Sequence, residues 1–395
     1  MNNKSEHKLS NVHAEVFLKE FTFSNNKFYS EGPGSVKELA DNIVWLDNIV
    51  LLIQLKERED NNVDENYSKW FVNKIKNKAV SQIKDTFYFL NSYENLIIKN
   101  DYGHSIDMSK IDSKTAIKII IYDPKVNSDT FERFQKFHNS STLGLIHLFH
   151  IEDYFELLKI LITPAEIKEY LDFRTELYQL FPNECILYPE QLLLGHYLGN
   201  EPFENFGPNQ IEYLLSLKEE NQSFEFMSIL KDFNNRQIQI EGSNEKDYYE
   251  VVKEIAKLKR NELKEFKKHF IWAFESCKTD RFDLPSRLTI PRTKIGFIFI
   301  PINRSVTRHW EDALLNFTNL HCYDQKLDKC IGVAIFQNPN NSEFIEIMWS
   351  TLIKKWQYDQ IIEDIIKNIR PLSAVQKVDL VRYNFECTKN TKHKL

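Results

Sequence analysis

Apolar residues fall in short blocks along this chain, and the densest pair lies near its start. Residues 43–46 (IVWL) and 49–55 (IVLLIQL) are rich in β-branched and large apolar side chains, the composition of strands. Asp47-Asn48 between them is a two-residue hairpin signal, because both residues tolerate positive φ. That turn predicts a register in which Ile43 faces Leu52 and Asp41 faces Gln54. Opposed side chains share one face, with Cβ atoms about 4.5–5.5 Å apart. Lys56 lies two residues beyond Gln54 and shares that face. A carboxylate, an amide and an ammonium are thereby gathered at one strand end, and a slip of one residue would scatter them. Both strands are apolar on both faces, as expected of strands in the middle of a sheet.

The pattern then changes period. Trp70, Ile75, Ala79, Ile83, Phe87 and Leu90 recur at three to five residues and predict a helix over 68–90. Residues 96–99, 116–122 and 143–150 read as strands, and 151–161 and 164–180 as helices, the second opened by Thr163-Pro164. Residues 181–207 mix Pro, Gly, Asn and aromatics and are too apolar for a flexible linker. A long helix is predicted over 244–278. Strands follow at 295–302, 331–336 and 343–349, with helices at 308–320 and 352–369. The predicted fold is α/β, a mixed sheet in a first domain (1–180), a connecting region (181–243), and a second, α+β domain (244–395).

Composition narrows the chemistry. With 395 residues, 42% hydrophobic and 27% charged, the chain has the make-up of a globular protein of two ordinary domains. A net charge of −6 argues against binding nucleic acid by bulk attraction, though a local basic groove remains compatible with it. Only 10 glycines are present and no GxGxxG or GxxxxGK[ST] occurs, so nucleotide hydrolysis is not expected. Five scattered cysteines without a CxxC pair read as reduced thiols of a cytoplasmic protein. The polar start MNNKSEHKLS is no signal peptide, and no run of 18 apolar residues predicts a membrane span. His147 and His150 differ by three on a strand, which puts them on opposite faces and argues against a shared metal.

The chemistry therefore centres on Asp41, Gln54 and Lys56. A carboxylate and an amide oxygen suit a hard divalent ion such as Mg²⁺, and a lysine beside it can orient or activate a bound water. One acid is thin for a metal site. Residues 13–21 read as a short amphipathic helix whose Val16, Leu18 and Phe21 supply the buried side, which leaves Glu15 or Glu20 for a second carboxylate. Glu38 is a rival, and its plain alternative is a loop residue capping the strand.

The order helix with Glu15, then Asp41, then Gln54-x-Lys56 resembles the PD-(D/E)xK nuclease superfamily, and its Gln-x-Lys form is similar to methylation-dependent restriction endonucleases of the Mrr type. The segments KELADNIVWLDNIVLLIQLK and LIHLFHIEDYFELLKILITPAEIKEYLDFR also resemble a bacterial family of unassigned role. The resemblance implies a restriction-endonuclease-like core over roughly the first 175 residues. It further implies Mg²⁺ or Mn²⁺ held by Asp41, Gln54 and Glu15, with cleavage of DNA more than RNA and a restriction or anti-phage role. By the same resemblance, the helix after the Gln-x-Lys strand turns its polar side to the substrate, through Lys76, Lys78 and Gln82. Gln54 stands where most of the superfamily has an acid, so an inactive nucleic-acid-binding or scaffold relative is the alternative. The second domain is left to hold a target, a partner protein or a second copy of the chain.

Overall fold

The structure is a computed structural model, and it describes residues 4–16, 19–24, 26–29, 36–59, 66–112, 115–125, 131–199, 202, 206–207, 247–279 and 281–379. Two compact units divide the chain, Met1–Phe224 with Tyr383–Leu395, and Glu225–Arg382. Among the described residues, no helix is long and apolar enough to cross a membrane.

The first unit is built on a mixed sheet of six strands. They are β1 (Thr22–Phe23), β4 (Asn42–Leu46), β5 (Ile49–Glu57), β8 (Ile117–Asp123), β10 (Gly144–His150) and β9 (Phe137–Ser140), in that spatial order. Two small ribbons, β2 (Lys27–Tyr29) with β3 (Val36–Glu38) and β6 (Ile97–Lys99) with β7 (Ser105–Asp107), stand apart from it. β5, β8 and β10 are parallel, while β4 and β9 run antiparallel to their neighbours. Parallel neighbours need a crossover, and residues 67–92 supply it between β5 and β8. That segment is continuous helix: α over Tyr67–Trp70, π over Phe71–Ala79 and α again over Val80–Ser92. Its buried side holds Trp70, Ile75, Ala79, Ile83, Phe87 and Leu90, the stripe that the apolar spacing predicts, packed on Ile43, Leu52, Ile120 and Tyr122 of the sheet.

Helices Ile151–Ile160, Pro164–Leu180, Pro182–Leu187 and Glu190–Gly199 follow β10. An ion pair buried among them fastens the second and the fourth to the sheet. The Arg174 guanidinium donates to both oxygens of Glu190 at 2.8 and 3.0 Å, to the carbonyls of Lys136 and Leu148 at 3.0 and 2.9 Å, and to His147 Nδ1 at 3.1 Å. Its cationic carbon also lies 4.0 Å from the centre of the Phe149 ring. Residues 182–199, read from sequence as part of a connecting region, thus pack in the first unit. The expected helix over 13–21 is instead an α-helix Lys4–Val16 and a 3₁₀ turn Lys19–Phe21.

The second unit has its own mixed sheet, in the order β14 (Ile345–Ile353), β13 (Lys329–Gln337), β12 (Ile295–Ile302), β11 (Ser286–Ile290), β15 (Val375–Lys377). Helix Trp310–Asp324 crosses between parallel β12 and β13 and covers Ile298, Ile300 and Ala334. On the other face, Phe266 of helix Arg260–Ser276 meets Phe297 and Phe299 edge-on. Gly332 permits helix Trp310–Asp324 to come close, since a Cβ there would lie 1.9 Å from Thr318 Oγ1. Two helices predicted as continuous are not. The 244–278 stretch breaks into Asp247–Ala256 and Arg260–Ser276, because Glu262 turns back to accept from the Lys259 amide and starts a new helix there. Helix 352–369 begins only at Gln360, because Leu352 pairs with Cys330 in the sheet and Asp359 caps the helix that follows.

Removing Arg174 leaves the Glu190 carboxylate, 3% exposed, without its main counter-charge. Arg174→Met should therefore cost about 3–5 kcal/mol in urea unfolding of the first unit, and adding Glu190→Gln should recover part of it. A cost under about 1 kcal/mol for the single variant would mean that the pair does not hold these helices.

Candidate functional site

The Asp47-Asn48 reversal forms as its residues demand. Asp47 takes φ 51°, and the strands pair Ile43 with Leu52 and Trp45 with Val50, the register expected from the turn. β5 is central, flanked by β4 and by β8, where Gln54 lies beside Ile120 and Lys56 beside Tyr122. Gln54 and Lys56 consequently share the face covered by the 67–92 helix, near the C-terminal end of the parallel strands. Ligands of open α/β sheets bind at that end.

Asp41 lies one residue before β4, where the ladder has ended. Its Oδ2 accepts the Leu55 amide at 2.6 Å and the Lys56 ammonium at 3.4 Å. The same ammonium donates to Gln54 Oε1 at 3.3 Å and to the Leu55 carbonyl at 2.7 Å. Three oxygens from Asp41, Gln54 and Leu55 thus converge on one positive charge. The side chains of Lys56 and Asp41 keep 13% and 12% of their surface, so the cluster opens to solvent through a narrow side.

The other candidates divide. Glu15 stands on helix Lys4–Val16, but its side chain, like that of Glu38, lies outside the described residues. Glu20 is buried in the 3₁₀ turn. On the long helix, Thr86 Oγ1 donates to the Leu39 carbonyl, two residues before Asp41. Gln82 and Lys78 are one and two turns back from Thr86 on the same stripe. Lys78 is exposed, while Gln82 Oε1 is buried with no hydrogen-bond partner among the described residues. Lys76 lies over the Phe71 ring, which meets Tyr122 edge-on beside Lys56. Burial, with the charges of Lys76 and Lys84, lowers the pKa of His138 on β9. His147 and His150 enter separate networks, with Arg174 and with Arg133.

One residue of the neighbourhood escaped the sequence reading. His13, fully buried, bonds Asn42 Oδ1 through Nδ1 at 2.8 Å and the Tyr154 hydroxyl through Nε2 at 2.9 Å. Because Asn42 Oδ1 can only accept, Nδ1 carries the proton and Nε2 takes the Tyr154 hydroxyl. The first helix is thereby fixed to β4 beside Asp41. A lone histidine on the apolar side of a helix was the available signal.

Among the described residues no group of three or more His, Cys, Asp or Glu is assembled. One carboxylate, one amide oxygen and one main-chain carbonyl do fit Mg²⁺, which takes oxygen ligands and keeps several waters. The orphaned Gln82 Oε1 adds a buried acceptor to the helix stripe that reaches the Asp41 segment. Comparison with known proteins gives no match to a family model, a curated protein or a solved structure.

Burial pushes the His13 imidazole down to about 4, against a smaller upward pull from Asn42. Between that value and the ordinary 6.5, the unfolded chain takes a proton that the folded chain refuses. Stability is therefore full above pH 6.5 and falls as the pH drops toward 4. The first unit should lose about 2 kcal/mol between pH 7 and pH 5 from this group, read as a shift in urea midpoint, and His13→Gln should flatten that part of the profile. An unchanged slope in the variant would show that His13 titrates normally.

Proposed function

We propose that this chain is a metal-dependent nuclease that hydrolyses phosphodiester bonds, in DNA before RNA, with Asp41, Gln54 and Lys56 as its reactive centre. The observation that carries this reading is the convergence of those three side chains at the end of a buried strand, with Lys56 Nζ 3.4 and 3.3 Å from the two partners. Three further features support it. The element order is helix, hairpin of sheet strands, crossover helix, parallel strand, as expected of a restriction-endonuclease-like core. The centre lies at the C-terminal ends of parallel strands. Exposed Lys78 and half-buried Gln82 follow on the covering helix, at a spacing suited to phosphate.

In this reading Asp41 and Gln54 hold Mg²⁺ or Mn²⁺, with Glu15 as a second carboxylate. The ion, when bound, lowers the pKa of a water and neutralises charge on the phosphate. Asp41 is held for this task by the Leu55 amide, which fixes the direction of its carboxylate. Gln54 presents its oxygen from a strand that cannot shift without breaking two ladders. Lys56 keeps the attacking water at its ammonium and stabilises the negative charge that grows on the phosphoryl oxygens. Lys78 and Gln82 steady the neighbouring phosphates. The resemblance to restriction enzymes extends the proposal to cleavage of foreign DNA.

A second reading has one observation in its favour: a single described carboxylate stands in the cluster, with Gln54 beside it. The same fold would then bind nucleic acid without cutting it. Incubation with supercoiled and single-stranded DNA, with Mg²⁺, Mn²⁺ or chelator, separates the two. Metal-dependent cleavage is expected, lost on Asp41→Ala and reduced about 10²–10⁴-fold by Lys56→Met. Binding without cleavage, its log K falling by about 0.9 per log unit of salt for each phosphate contact, would favour the binding module. Neither cleavage nor binding would overturn the nucleic-acid reading altogether.

A further inference from the structure

We infer that the Lys56 ammonium is the resident cation of the oxygen nest formed by Asp41, Gln54 and Leu55, and that it must leave before a divalent ion can be held there. The inference rests on the nuclease reading for the identity of the ion, and on the geometry of this chain for everything else.

Lys56 does not stand beside the nest. It fills it. Nζ lies 2.7 Å from the Leu55 carbonyl, 3.3 Å from Gln54 Oε1 and 3.4 Å from Asp41 Oδ2. An ammonium has three protons to donate, and these three oxygens are three acceptors from three different groups. The shortest of the contacts is to the main chain of the preceding residue, so the side chain folds back over its own strand. A lysine at a strand end ordinarily extends its flexible stem and hydrated head into water. This one keeps only 13% of its side-chain surface.

A second cation cannot share the position. The oxygens it would bind already spend lone pairs on Nζ, and two like charges a few ångströms apart in a partly buried site repel strongly. Gln54 is buried, with 3% of its surface exposed. Asp41 Oδ2 is also committed to the Leu55 amide at 2.6 Å. The movable element is the lysine, whose four-carbon stem can swing its head outward while the oxygens stay in place. Its departure has a chemical consequence. A head displaced from the nest still lies within one side-chain length of it, where it can hold a water against the ion and the phosphate. Metal entry and the arming of Lys56 are then one event, and the centre is latched whenever the ion is absent.

The latch predicts competition, which activity alone would not reveal. Mn²⁺ binding, followed by electron paramagnetic resonance of the full-length protein, should be at least about 10-fold tighter in Lys56→Met than in the wild type, with Lys56→Gln as the second variant should the first fold poorly. In the wild type with ¹⁵N-labelled lysine side chains, the Lys56 ammonium should give a slowly exchanging signal without metal and lose it as Mg²⁺ saturates. Equal Mn²⁺ affinity in wild type and variants, or a Lys56 signal unchanged at saturating Mg²⁺, would overturn the latch and leave the nuclease reading standing. Mn²⁺ bound by neither wild type nor variants would overturn both.

Discussion

The contact on which the site depends is the hydrogen bond from the Leu55 amide to the Asp41 carboxylate, 2.6 Å long. β4 ends at Asn42, so beyond the Asn42–Ile53 pair the central strand has no ladder partner on that side among the described residues. A main-chain amide left there without a partner would cost on the order of 1–3 kcal/mol. Asp41 removes that cost by acting as the missing piece of strand. In doing so it becomes fixed in direction beside Gln54 and Lys56. The carboxylate is thus held in place by what the sheet requires.

In the cluster that results, a buried amide oxygen and a main-chain carbonyl share one lysine. Here the strand supplies both oxygens from adjacent residues, and the third comes from across the hairpin. Polar groups in such a place must be satisfied. An internal ammonium satisfies them at once, and so would a small hard cation. On the proposed reading, the same three oxygens serve either positive charge, the ammonium or the ion.

Two polar anchors on the opposite face of the sheet keep that geometry from drifting. His13 joins the first helix to β4 through Asn42, the residue after Asp41, and to the helix after β10 through Tyr154. Arg174 joins β10 and the residue before β9 to the later helices through Glu190. Both sit in places where charge or an unpaired donor would be costly, and both are surrounded by partners. A hydrophobic contact tolerates sliding, whereas a directed bond does not. The polar residues buried in this unit therefore act as fixed points for a sheet whose remaining packing is apolar.

Much of this was legible in the chain itself. The hairpin followed from Asp47-Asn48 and two apolar blocks, because turn chemistry and strand propensity act between neighbouring residues. The covering helix followed from its stripe for the same reason, and with the register came the meeting of Asp41, Gln54 and Lys56. What sequence left out needs residues far apart. His13 gives no local hint of Asn42 or Tyr154, and Arg174 none of Glu190. The helix expected at 352–369 yielded its first residues to β14, because pairing with β13 outweighed local periodicity. Local spacing determined which side chains could share a face. The tertiary structure alone decided which of them would share a charge, because electrostatic and hydrogen-bond energies depend on distances through space that the order of residues does not contain.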